Sequence, residues 1–184
     1  MNNITQEEIK KVNTAILGLA NSMEKASEMI KRRAIKVETT KFSKSFILSF
    51  LASMGFVNSY LADGTYYLTG WETWKKIIKW DWTDKRKYLD DRYDCDNFAE
   101  SFSSMAAATY GLNSAAKAKN TRIDKPFTDI IWGHHRHNLI IANEREGMKA
   151  YLYEPMNDNY LEIKRNEPIV MGGWEYNLKN LEIN

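Results

Sequence analysis

From Asp94 to Gly111 the chain reads as one capped amphipathic helix, and that helix constrains where the rest of the chain must lie. Apolar residues recur at Phe98, Ala99, Phe102, Met105, Ala106 and Tyr110, the spacing of a single helical face. Asp94 is suited to the N-cap, and Gly111 falls just past the last periodic residue, where a left-handed stop is expected. A helix apolar along one face has to be buried against a second layer. Its first residue is Cys95, the single cysteine of the chain. The partial positive charge at a helix N-terminus favours thiolate over thiol, and the thiolate is the nucleophile. The alternative for a lone cysteine is a small buried hydrophobe.

Downstream lies Gly133-His134-His135-Arg136-His137-Asn138-Leu139-Ile140-Ile141-Ala142, followed by Tyr151-Leu152-Tyr153-Glu154-Pro155. Both segments read as strands, and the turn residues from Asn143 to Gly147 between them predict a hairpin. A reactive thiolate needs a base within hydrogen-bond reach and a third group to orient that base. Cysteine at a helix start, histidine at a strand start and a carboxylate at the neighbouring strand's end supply that order.

These motifs, the helix-borne D-C-x-x-F-A at Asp94–Ala99, H-x-x-N at His135–Asn138 and the acid–proline pair Glu154-Pro155, resemble the transglutaminase-like branch of the papain-like cysteine enzymes. The resemblance runs from about Trp82 to Asp158. It implies a catalytic set of Cys95, His135 and Glu154, with His137 as the second candidate base. Two departures stand out: Glu154 occupies the usual aspartate position, and no glutamine precedes Cys95 in the stretch Tyr88–Arg92. Oxyanion stabilisation would then fall to backbone N–H groups at the helix start or to another donor. The activity implied is cysteine-dependent acyl transfer through a thioester, with amidase, peptidase or transglutaminase outcomes on a protein, peptide or peptidoglycan-like amide. The alternative is a catalytically inactive domain of the same fold that serves as a binding module.

Three neighbouring histidines also invite a metal reading. Successive strand residues face opposite sides, so His134 points away while His135 and His137 share a face. Those two, with Glu154 or Asp158 and with Cys95 as the further ligand, are the only set with zinc-like donors. Nothing else has metal spacing, so no metal and no cofactor is expected.

The 184 residues are enough for one domain with an appendage, and 43% hydrophobic and 12% aromatic content is that of a folded chain. A net charge of +2 gives no argument for nucleic acid. The cluster Lys31-Arg32-Arg33 with Lys36 complements a helix C-terminus; a nucleic-acid patch would want interleaved aromatics. One cysteine excludes an internal disulfide and fits a reducing compartment. The first residues carry no secretory pattern, and no apolar run approaches about 20 residues, so a cytoplasmic protein that does not span a membrane is expected.

Residues 1–40 read as an N-terminal helical arm and 41–184 as the main domain. Thr5 and Glu8 form a capping-box pair, with Ile4 and Ile9 placed as a hydrophobic staple. Ile9, Val12, Ile16, Leu19, Met23, Ala26 and Ile30 then repeat in steps of three and four, a heptad seam. Two coverings suit it: the domain's own aromatic stretch, or a second copy of the chain in a homodimer. A second helix is predicted from Ser43 to Met54, and a short one from Trp71 to Lys79 inside an otherwise loop-like aromatic stretch, Tyr60–Trp82. That stretch suits either a substrate groove or the packing of a second face. Short strands are predicted at Leu112–Lys119, Tyr160–Ile163, Pro168–Met171 and Trp174–Ile183, with a polar loop at Asn120–Thr128. The fold class expected is α+β, papain-like and transglutaminase-like: N-terminal helices first, then the cysteine helix packed on an antiparallel sheet.

Overall fold

The computed structural model describes residues 5–33, 35–56, 58–90, 92–123, 131–165, 167–176 and 182–183. The chain divides into two compact units, Met1–Lys36 and Val37–Asn184. The first is helix α1, Gln6–Arg33. Its start is held by a reciprocal box: the Glu8 N–H donates to Thr5 Oγ1 at 3.3 Å, and the Thr5 N–H donates to Glu8 Oε2 at 2.7 Å. Ile4 and the side chains of Lys31, Arg32 and Arg33 lie outside the described residues, so the staple and the basic cluster are not placed.

The second unit begins with strand β1 (Thr40–Ser43), helix α2 (Lys44–Met54), and strands β2 (Asn58–Ser59) and β3 (Thr65–Leu68). Helices α3 (Trp71–Lys79) and α4 (Cys95–Tyr110) follow, then β4 (Ala115–Ile123), β5 (Ile131–Glu144), β6 (Gly147–Glu154), β7 (Asn159–Ile163), β8 (Ile169–Met171), β9 (Trp174–Tyr176) and β10 (Glu182–Ile183). α2 starts at Ser43, whose Oγ accepts from the Phe46 N–H at 3.3 Å, and stops at Gly55 with φ 98°.

β1 and β3 form a two-stranded antiparallel sheet. The larger sheet runs β2-β10-β4-β5-β6-β7, with β8 and β9 joined to it through β4. Its pairs are antiparallel except β2 with β10. The centre is β5, where all residues from Asn138 to Ala142 are buried because both faces are covered. Leu139 and Ile141 join Ile47 and Leu51 of α2, Leu68 of β3 and Leu152 of β6 in one core. On the other face, α4 is latched to β5: Asn138 Nδ2 donates to the Ala99 carbonyl at 2.9 Å and to Ser103 Oγ at 2.7 Å.

The layout implied by the transglutaminase resemblance is corrected here. That layout puts helices first and an antiparallel meander after them. Instead β1, β2 and β3 come before α4, a separate small sheet forms, and β10 returns between β2 and β4. The aromatic stretch is the reason. Tyr66 and Leu68, in a part that looks like loop, alternate inward along β3, while Trp71, Trp74, Ile77 and Ile78 are the buried face of α3, the short helix expected at Trp71–Lys79. Trp71 stacks on Tyr151 at 3.7 Å between ring centres. The polar run Asn120–Ile123 belongs to β4, extended by pairing with β5, while residues 124–130 lie outside the described ones. The segment expected as a last strand or extended tail holds, among its described residues, the two short strands β9 and β10.

Candidate functional site

α4 stops where Gly111 turns left-handed at φ 68°: its N–H reaches the Ala107 carbonyl at 3.0 Å, and the Leu112 N–H reaches Ala106 at 3.3 Å. At the other end the Asp94 N–H donates to Asn97 Oδ1 at 3.2 Å. The latch at Asn138 and this capped start fix Cys95 against β5. The thiol is half-buried and hydrogen-bonds to His135 and to the Arg136 backbone. Burial opposes ionisation of the sulfur, yet the His135 and Arg136 hydrogen bonds outweigh it and hold the thiol below its ordinary range.

His135 is buried, and its Nε2 hydrogen-bonds to Glu154 Oε2, while the ring also hydrogen-bonds to the Cys95 thiol. Burial works against the imidazolium, but the hydrogen bonds with Cys95 and Glu154 push its pKa up to about 9. Glu154 is itself buried, and its other oxygen accepts from the Met156 N–H at 3.2 Å. The arrangement is a thiol, an imidazole and a carboxylate in a hydrogen-bonded line, with charge drawn toward the thiolate–imidazolium form.

His137 is almost fully buried on the same face as His135, edge-on to it at 4.4 Å between ring centres. Its Nε2 lies 3.5 Å from Glu154 Oε2, and its ring meets Tyr176 at 4.9 Å. Of the two candidate bases, His135 is the one bonded both to the sulfur and to the Glu154 carboxylate. The side chain of His134 lies outside the described residues. Donor atoms of His135, His137 and Glu154 all fall within 4.8 Å of one another. Neither Cys95 nor Asp158 belongs to that cluster. Asp158 instead accepts a 2.7 Å hydrogen bond from the Tyr153 hydroxyl.

Two residues contribute in ways that the motifs do not state. Asn138 marks the H-x-x-N spacing, but its work is the latch to α4; a lone amide just before an apolar strand is the one sign of it. The Arg136 backbone owes its role to position alone. Next to the cysteine, Asp96 shares a hydrogen bond with Asp94, which raises its pKa. A pocket lined by His135, His137, Glu154, Met156, Asn157, Asn159, Met171, Gly172 and Tyr176 opens on the carboxylate side of the imidazoles.

No family model and no curated protein matches the chain. Among solved structures it is similar to one titled "PSL1a-E64 complex", at 17% identity and a TM-score of 0.48, over 74% of this chain and 49% of that one. It is likewise similar to a structure of Polyporus squamosus lectin bound to the human-type influenza-binding epitope Neu5Aca2-6Galb1-4GlcNAc. That match has 17% identity and a TM-score of 0.46, over 67% of this chain and 48% of the lectin's. The chain spans about half the length of each. The second title names a lectin, and neither names a transglutaminase or a papain-like enzyme. The papain-like, transglutaminase-like identification is corrected accordingly. With it go thioester acyl transfer, the hydrolase, protease and acyltransferase assignments drawn from it, and the inactive form of that same fold. Among the described residues, no helix is long and apolar enough to cross a membrane.

Proposed function

We propose that the second unit is a ligand-binding domain whose site is an ionised cysteine, Cys95, paired with the His135 imidazolium and steadied by Glu154. The observation that carries this is the buried hydrogen-bonded line from Cys95 through His135 to Glu154. A thiolate so held is a nucleophile toward an added alkylating agent such as iodoacetamide, whose iodide leaves as the sulfur–carbon bond forms. Acyl transfer is not part of this reading. The amides of Asn157 and Asn159 and the phenol of Tyr176 line the pocket beside the imidazoles between two methionines, which suits a polar, uncharged ligand such as an amide or a polyol.

Alkylation by iodoacetamide, followed by mass spectrometry across pH, tests the proposal. The sign follows from the two shifts: the thiolate exists above the lowered Cys95 pKa, and its imidazolium partner persists until pH rises through about 9. The folded protein is therefore expected to alkylate at Cys95 well below pH 8, with Cys95→Ser unlabelled. His135→Ala should move the half-point upward, toward the ordinary thiol range near 8.5. Labelling confined to pH above 9, or to the unfolded chain, overturns the proposal.

A further inference from the structure

We propose that His135, His137 and Glu154 form a binding site for a divalent transition-metal ion of the zinc or cobalt class. Residues 135 and 137 alternate along β5 and so face the same side. Glu154 closes the neighbouring strand β6, one residue beyond the paired Asn138 and Tyr153. All three side chains are at least nine-tenths buried. Their donor atoms lie within 4.8 Å of one another.

The donor chemistry selects the metal. Two imidazole nitrogens and one carboxylate oxygen suit zinc, cobalt or nickel, whereas calcium and magnesium want oxygen alone. With metal–ligand bonds of about 2.0–2.1 Å, tetrahedral ligands stand roughly 3.3 Å apart. His137 Nε2 and Glu154 Oε2 are already 3.5 Å apart. His135 Nε2 touches the same oxygen more closely, so a small rotation of the carboxylate admits the ion. A fourth position, for water, faces the pocket lined by Met156, Asn159 and Tyr176. The ion takes the place of the proton between His135 and Glu154, so its affinity rises with pH.

Binding stands apart from the thiolate proposal.

The full-length protein titrated with cobalt(II) gives the direct test. One equivalent should produce visible ligand-field bands without sulfur-to-cobalt charge transfer, unchanged in Cys95→Ser. His137→Gln should weaken binding by roughly 10–100-fold or more. Because a buried histidine variant can fail to fold, imidazole NMR of the wild type with zinc provides a second reading. Two of the chain's three imidazoles should shift in slow exchange. No saturable cobalt binding, a cobalt–sulfur band, binding unaltered in a folded His137→Gln variant, or imidazoles indifferent to zinc each overturns the site. Cobalt binding with an unreactive Cys95 would leave the site intact and sink the thiolate proposal instead.

Discussion

Asp158 sits with φ 59°, in the left-handed region that asparagine and aspartate tolerate better than other side chains. Burial raises its pKa to about 6, helped by the Asp84 and Asp81 carboxylates and opposed by the Tyr153 hydroxyl. An acid whose folded pKa lies above its unfolded value loses stability once ionised. The loss is absent below the ordinary 3.8 and complete as pH rises through about 6. Asp158→Asn keeps the acceptor for Tyr153 and the backbone conformation while removing the charge. It is expected to match the wild type at pH 3.5 and to exceed it by about 1 kcal/mol at pH 8, after discounting for solvent screening of a half-exposed group. Urea unfolding at the two pH values checks this, and equal stability at pH 8 refutes it. At this scale the sequence was legible where geometry is local: strand alternation puts His135 and His137 on one face. It was silent where the partner is distant in the chain. Asp158 was a candidate ligand beside Glu154 by proximity in sequence, yet its hydroxyl partner Tyr153 and the carboxylates of Asp81 and Asp84 claim it.

Among the elements, β5 and α4 are joined by one amide. Asn138 is fully buried and donates twice into α4, to the Ala99 carbonyl and the Ser103 hydroxyl. Asn138→Ala removes both bonds and leaves a hole beside Ser103. The expected loss is about 2–3 kcal/mol, read from the denaturant midpoint with unchanged slope. A loss under 0.5 kcal/mol would show that apolar packing of Phe98, Phe102 and Met105 holds the helix unaided. The α4 span, its stop at Gly111 and the β5–β6 hairpin are readable from periodicity and turn residues because they are set by short-range chemistry. β1 and β3 are not, since a four-residue strand signals little alone. Each exists by pairing with the other across α2.

For the whole molecule, the open matter is α1. Ile9, Val12, Ile16, Leu19, Met23 and Ile30 are each between 47% and 70% exposed. Every such side chain left in water forgoes roughly 1.5–3 kcal/mol of burial. Gly18 in mid-helix subtracts about 1 kcal/mol relative to alanine, which a paired seam can offset. We expect two copies to pair along this stripe. Sedimentation at micromolar concentration should give twice 21.4 kDa, and a 21.4 kDa species would overturn the pairing.

By itself, the sequence determined what depends on neighbours within a turn or two. That includes the helix caps at Thr5 and Asp94, the apolar faces of α1, α2 and α4, the hairpin at Gly147, and the one cysteine at a helix start. Tertiary structure alone decided what needs residues far apart in the chain to meet. It paired β1 with β3, inserted β10 between β2 and β4, and divided Glu154 between two imidazoles. The same strand alternation allows either histidine to face the acid. Which one also meets Cys95 depends on how α4 docks on β5, and that docking is set by packing and by the Asn138 latch, on which local propensity has no hold.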